Sequence, residues 1–157
     1  MKQKDDTIPF DQLEQIAQGL AETFSPFCEV VLHDLRDPRH TSLAIHDNLS
    51  GHEVGEPATE LGLARIADPK VPRVIADYSN AFADGRRAKS TSIGIKDAHG
   101  RYVAARRSTT PRTLRASERK ILLRELEEAG FMEVRHATET VGAHLGVARS
   151  TIHADSR

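Results

Sequence analysis

Apolar residues recur at spacings of three and four from Phe10 through Leu13, Ile16, Ala17 and Leu20 to Phe24. That is one stripe of an amphipathic helix and predicts a helix over residues 10–24. Ser25-Pro26 ends it, because proline disfavours helical backbone in the residue before it. Residues 28–33 then form a β-branched, mostly apolar run that predicts a strand. A turn over 34–40, carrying Asp37-Pro38, leads into residues 41–46, whose polar and apolar alternation predicts the hairpin partner. Residues 59–67 suit a short helix, with Pro57 near its start and Pro69 just beyond its end. Residues 71–78 fit a short strand interrupted by Pro72. Two clearer strands, 88–96 and 101–107, are joined by Asp97-Ala98-His99-Gly100, a four-residue hairpin loop. Short strands, hairpin turns and few helices indicate a small antiparallel α+β domain.

The alternation breaks at residues 108–112, where Thr109-Thr110-Pro111 stands, and a domain boundary is expected there. Beyond it Ile121, Leu122, Glu125, Leu126 and Ala129 mark a helix closed by Gly130. A second helix over 137–145 aligns Ala137, Val141 and Leu145, and Gly146 ends it. Val147-Ala148 turn the chain into a third helix that opens with Arg149-Ser150-Thr151-Ile152-His153. Two short helices across a three-residue bend with glycine at the corner have the spacing of a helix-turn-helix, or of an ordinary helical hairpin. Ala148 stands where a serine would cap the free amides of the third helix, and the sequence leaves that helix roughly two turns.

Composition narrows the possible functions. Of 157 residues 38% are hydrophobic and 29% charged, a globular balance with enough chain to bury a core. Aromatics are 4% and tryptophan is absent, a poor supply of stacking platforms for single-stranded nucleic acid. The one cysteine, Cys28, excludes an internal disulfide framework and a cysteine-rich zinc site, and suits a small buried residue. No apolar run approaches the ~20 residues of a membrane span, and the polar lead over residues 1–7 has no secretory character. A soluble cytoplasmic protein without membrane contact is expected. The net charge of −1 hides an asymmetry: residues 1–100 carry 11 basic against 16 acidic side chains, residues 101–157 carry 11 against 7. An acidic body with a basic end suits a polyanion partner at the C-terminal part.

Catalytic signatures are missing. There is no phosphate-cradling glycine run and no nucleophile elbow, and His33-Asp34 cannot build a triad because neighbours on a strand face opposite ways. The eight histidines include no zinc-protease pair, and only a lone haem ligand at His33 or His46 would be conceivable. The expectation is no enzyme, no metal and no cofactor.

Val30-Val31-Leu32-His33-Asp34-Leu35, Gly55-Glu56-Pro57-Ala58-Thr59, the run from Asp84 through Arg86, Arg87 and Lys89 to Ser92, and the C-terminal helices together resemble one family. It is the YheO-like regulators, which include a D-arginine utilisation repressor, and the resemblance runs from about Phe10 to Ile152. It implies a PAS-like five-stranded antiparallel sheet with flanking helices over residues 8–110. It further implies a helix-turn-helix over 113–157, hence a ligand-responsive regulator that reads double-stranded DNA.

A sensor pocket for a small polar molecule needs a few convergent polar groups against an apolar wall. The candidates are His33, Asp34, Asn48, Lys89, Ser90 and Thr91, which otherwise only cap a strand end or line an exposed strand. For DNA, Arg149, Ser150, Thr151 and His153 would face the major groove, with Arg112, Arg115 and Arg119 on phosphates. A homodimer is expected because paired helix-turn-helix units read two-fold operators, with helix 10–24 the main contributor. The alternative is a dimeric sensor or interaction module with weak or no grip on DNA.

Overall fold

The computed structural model describes residues 9–112 and 114–157. The expected domain limits at residues 8 and 113, and the polar lead over 1–7, lie outside the described residues. The chain divides into two compact units, one reaching to Thr110 and the other beginning at Pro111.

The first unit opens with α1 (Phe10–Phe24), followed by β1 (Glu29–Asp34) and β2 (Ser42–His46). Then come α2 (Glu60–Ala67), β3 (Val74–Ala81), β4 (Arg87–Lys96) and β5 (Tyr102–Pro111). The strands form the expected five-stranded antiparallel sheet, in the order β2-β1-β5-β4-β3, so the chain's last strand sits at the centre beside its first. Strand β1 pairs β2 on one side, Val31 opposite Ile45, and β5 on the other, Val31 opposite Arg107.

Among the limits that differ from the sequence reading, two have a clear physical reason. Strand β5 continues through the Thr109-Thr110-Pro111 stretch that breaks the apolar alternation. It does so because Ser108 and Thr109 pair with Val30 and Glu29, and Thr109 turns inward to share a 2.9 Å hydrogen bond with Ser90. Strand β3 starts at Val74 rather than at residue 71, beyond Pro72, which has no N–H to give to a ladder.

The sheet's two faces differ in kind. Alternation along β1 sends Val30 to α1, where it packs with Cys28, Ala17 and Ala21 as an apolar cluster. Full burial of an aliphatic side chain such as Val30 contributes about 1.5–3 kcal/mol. Ile16 and Phe24 of α1 stay exposed. The opposite face carries Glu29, Val31 and His33, with Thr109, Arg107 and Ala105 of β5 directly opposite them. Helix α2 belongs to this second face, capped by Thr59, whose hydroxyl accepts from the Gly62 amide.

The second unit holds α3 (Ala116–Glu128), a single 3-10 turn (Phe131–Glu133), α4 (Ala137–Leu145) and α5 (Arg149–Asp155). Helix α3 begins five residues before its first apolar marker, Ile121, because Glu118 reaches back to accept from the Arg115 amide at 2.6 Å. Leu123 of α3 and Ile152 of α5 are fully buried and form its core. The α4–α5 corner depends on two glycines. Gly146 takes the left-handed conformation (φ 66°), and a Cβ on Gly142 would lie 3.0 Å from the Val147 carbonyl oxygen. Among the described residues no helix is long and apolar enough to cross a membrane.

Candidate functional site

The inner face of the sheet joins a small apolar cluster, Leu35, Tyr102 and Ala105 with Val71 against it, to an unusual number of buried polar side chains. Arg65 reaches from α2 into the interior at 1% exposure. Its Nη1 donates to Ser92 Oγ at 2.6 Å and its Nη2 to the carbonyls of Pro72, Arg73 and Ser92. Burial lowers its pKa. These bonds tie α2 to the start of β3 and to β4 without any carboxylate. Glu29, equally buried, accepts from the Leu49 and Ser50 amides and from Ser50 Oγ through Oε2. Its Oε1 accepts no hydrogen bond among the described residues and stands 3.5 Å from Arg107 Nη2. The Nε atoms of Arg65 and Arg107 likewise lack a hydrogen-bond partner there.

His33 lies between these charges, with its Nδ1 3.4 Å from the Thr41 hydroxyl. Burial first, and the neighbouring Arg107 second, push its pKa down to about 4, so the ring is neutral at physiological pH. His33, Arg65, Arg107, Tyr78 and Ser92 line a cavity of about 20 Å3, room for one water-sized group. Arg107 also lines an open cleft of about 280 Å3, together with Glu29, Ser50, Asn80, Phe82 and Thr109.

Of the six residues expected at a sensor pocket, His33 lines the small cavity. Ser90 is buried on the same face and bonds to Asn80 and Thr109 on the cleft wall. Asp34, one position from His33, turns the other way into a pair with Arg36 at 2.6 Å, which lowers its pKa. Asn48 closes its own turn, donating to the His52 carbonyl and accepting from the Gly51 amide. Lys89 pairs with Asp77 at 3.4 Å, and Thr91 accepts from the Asp77 amide, both on the face of β4 turned from Ser90. The residues that sequence reasoning missed are Glu29, Arg65 and Arg107. A glutamate beginning an otherwise apolar strand was the one available signal.

In the helical unit, Arg149, Ser150, Thr151 and His153 share the seven-residue helix α5. Ser150 and His153 are exposed and Thr151 is half-buried. The guanidinium of Arg149 is held by Glu139 of α4, Nη1 to Oε1 at 2.8 Å, and its Nε donates to His153 Nε2 at 3.3 Å. Arg112 is exposed. Arg119 is engaged inside the unit, with Nε on Asp155 at 2.8 Å and Nη1 on the Leu114 carbonyl. It clamps α3 to α5.

A five-stranded antiparallel sheet with this strand order and a polar inner face is a PAS-type domain, and the corner formed by α4 and α5 has the form of a helix-turn-helix. The chain belongs to the YheO-like PAS domain family, which it matches over residues 2–105, and residues 97–155 match an HTH domain family. The chain is 40% identical over 90 residues to the transcriptional regulator DauR of Pseudomonas aeruginosa, covering 57% of this chain and 40% of DauR. It is 30% identical over 112 residues to the uncharacterized protein YheO of Escherichia coli K12, covering 62% of this chain and 45% of YheO. The chain thus spans less than half the length of these curated relatives. Among solved structures it is similar to the PAS domain of Bordetella pertussis BvgS, at 19% identity and a TM-score of 0.44, covering 78% of this chain and 98% of that one.

Proposed function

We propose that the chain is a DNA-binding transcriptional regulator whose PAS-like unit, ending near residue 110, senses a small polar molecule. The observation that carries this reading is the joining, in one polypeptide, of a sheet with a polar inner face to a helix-turn-helix. The relation to the transcriptional regulator DauR supports it. Arg149, Ser150, Thr151 and His153 open or follow the start of α5, the part of a recognition helix that reaches base edges. Arg149 in that position suits the O6 and N7 atoms of guanine once Glu139 releases it. Arg112 and Arg115 supply sequence-independent attraction to phosphates, which salt weakens. Arg119 contributes to such attraction only at the expense of its bond to Asp155. A two-fold operator calls for a homodimer, and the exposed Ile16 and Phe24 of α1 are apolar surface available to it.

The test is a gel-shift titration against the DNA upstream of the protein's own coding sequence and a scrambled duplex, at several salt concentrations. Arg149→Ala is expected to cost on the order of 1–3 kcal/mol on the operator and to relax sequence preference. Arg115→Ala is expected to weaken both duplexes alike and to flatten the salt dependence. A second reading, a dimeric sensor module without a grip on DNA, is favoured by the uncapped start of α5 at Ala148 and by the Arg149–Glu139 pair. No retarded band on either duplex at any salt concentration would establish that reading instead.

A further inference from the structure

We propose that the inner face of the sheet binds a small monocarboxylate, its carboxylate on Arg107 and its body in the cleft beside Phe82. The inference rests on reading that face as the sensory side of a regulator. Charge is the first observation. Arg65 and Arg107 bring two guanidinium groups to one cavity, and among the described residues no carboxylate lines that cavity. The buried acid within reach is Glu29, 3.5 Å from Arg107 and already accepting three hydrogen bonds from Leu49 and Ser50. Glu56, which shares a second small cavity with Arg107, is partly exposed and paired with His52 at 2.6 Å. His33 adds no charge near neutral pH. The face therefore buries one more positive than negative charge, and a single anion balances it.

Geometry is the second observation. Arg107 Nε is buried and makes no hydrogen bond among the described residues, although a guanidinium offers five donors in a planar fork matched to a carboxylate. Arg107 stands on the wall of an open cleft of about 280 Å3, so an anion reaches it without passing through the closed 20 Å3 cavity. Ala81, Phe82 and Ala83 give that cleft an apolar side, while Asn80 and Thr109 give it polar groups. An organic acid with a short aliphatic body fits this division, whereas an amine would set its charge against Arg107.

The experiment is thermal unfolding of the full chain with acetate, lactate and butyrate, each beside its primary amide, and with butylamine, all at one ionic strength. At least one of the three acids is expected to raise Tm by roughly 4 °C or more at millimolar concentration, with its amide and the amine inert. The shift should vanish in Arg107→Gln and survive in Arg36→Gln, which removes a surface cation of the same type. Should Arg107→Gln fail to fold, Glu29→Gln combined with Arg107→Gln removes both charges together and takes its place. Equal shifts from acid and amide, a shift from butylamine, persistence in the Arg107 variant, or no response to any of the acids would overturn the proposal. The gel shift without added acid separates the two readings. DNA binding with no carboxylate response refutes only the ligand class, whereas loss of DNA binding refutes the regulator.

Discussion

His33→Gln removes a titratable group whose burial makes the stability of the sheet unit depend on pH. The imidazole is held neutral in the folded state, with its pKa pushed down to about 4 by burial and by Arg107. In the unfolded chain it regains an ordinary value near 6.5. Below that value the unfolded state takes up a proton that the folded state refuses, so folding weakens as pH falls. The His33 contribution is complete above about pH 6.5, declines by about 1.4 kcal/mol per pH unit, and is gone near pH 4. Over the whole window it amounts to about 3 kcal/mol, a large share of the 5–15 kcal/mol typical of a domain's stability. Both tyrosines, Tyr78 and Tyr102, lie in the sheet unit, and the chain has no tryptophan. Tyrosine fluorescence in urea therefore follows this unit without interference from the helical one. Wild type and His33→Gln should be compared at pH 7, 6, 5 and 4.5, since carboxylates shared by both proteins cancel in the difference. Wild type is expected to lose about 2–3 kcal/mol more than the variant between the two extremes. Parallel pH profiles would refute the assignment of a buried, neutral His33.

Gly142→Ala places a methyl group 3.0 Å from the Val147 carbonyl oxygen and should destabilise the helical unit by about 1–3 kcal/mol, read from a circular-dichroism melt of the helices. Asp155→Ala leaves the largely buried Arg119 without its carboxylate partner and should cost about 1–3 kcal/mol in the same melt, with Asp155→Asn recovering part of the loss. Light scattering at tens of micromolar is expected to give the mass of a homodimer, and Ile16→Glu in α1 should lower it to that of one chain.

The order of elements was legible because each is bounded by a local signal. The α1 stripe stops at Ser25-Pro26, glycines mark the Asp97–Gly100 loop and the ends of α3 and α4, and Thr59 opens α2. The candidate pocket was less legible because its polar residues belong to elements distant in sequence. Arg65 sits in a short helix, where an arginine ordinarily faces solvent, and its four bonds to Ser92, Pro72 and Arg73 together with the Tyr102 ring beneath its guanidinium account for its burial. Arg107 follows Arg106 at the end of the predicted strand, next to the stretch where alternation breaks, so nothing local marks which of the two turns inward. In the fold the pair alternates still, with Arg107 on the inner face and Arg106 on the other, where burial lowers its pKa. His33 was found because a strand histidine is unusual enough to notice. Asp34 was paired with it by proximity in sequence, which on a strand separates two side chains rather than uniting them.

The division of labour between the sheet's two faces bears on how such a molecule can change. The packing of Ala17, Ala21, Cys28 and Val30 beneath α1 lies on the face opposite the side chains at Glu29, Ser90, Arg107 and Thr109, although the same sheet carries both sets. Substitutions on the inner face can therefore be exchanged as compensating pairs, a lost guanidinium with a lost carboxylate, without disturbing the apolar cluster behind them. On the proposed reading of that face as a ligand site, a lineage built on this sheet can drift from one effector chemistry to another through intermediates that keep the same apolar cluster.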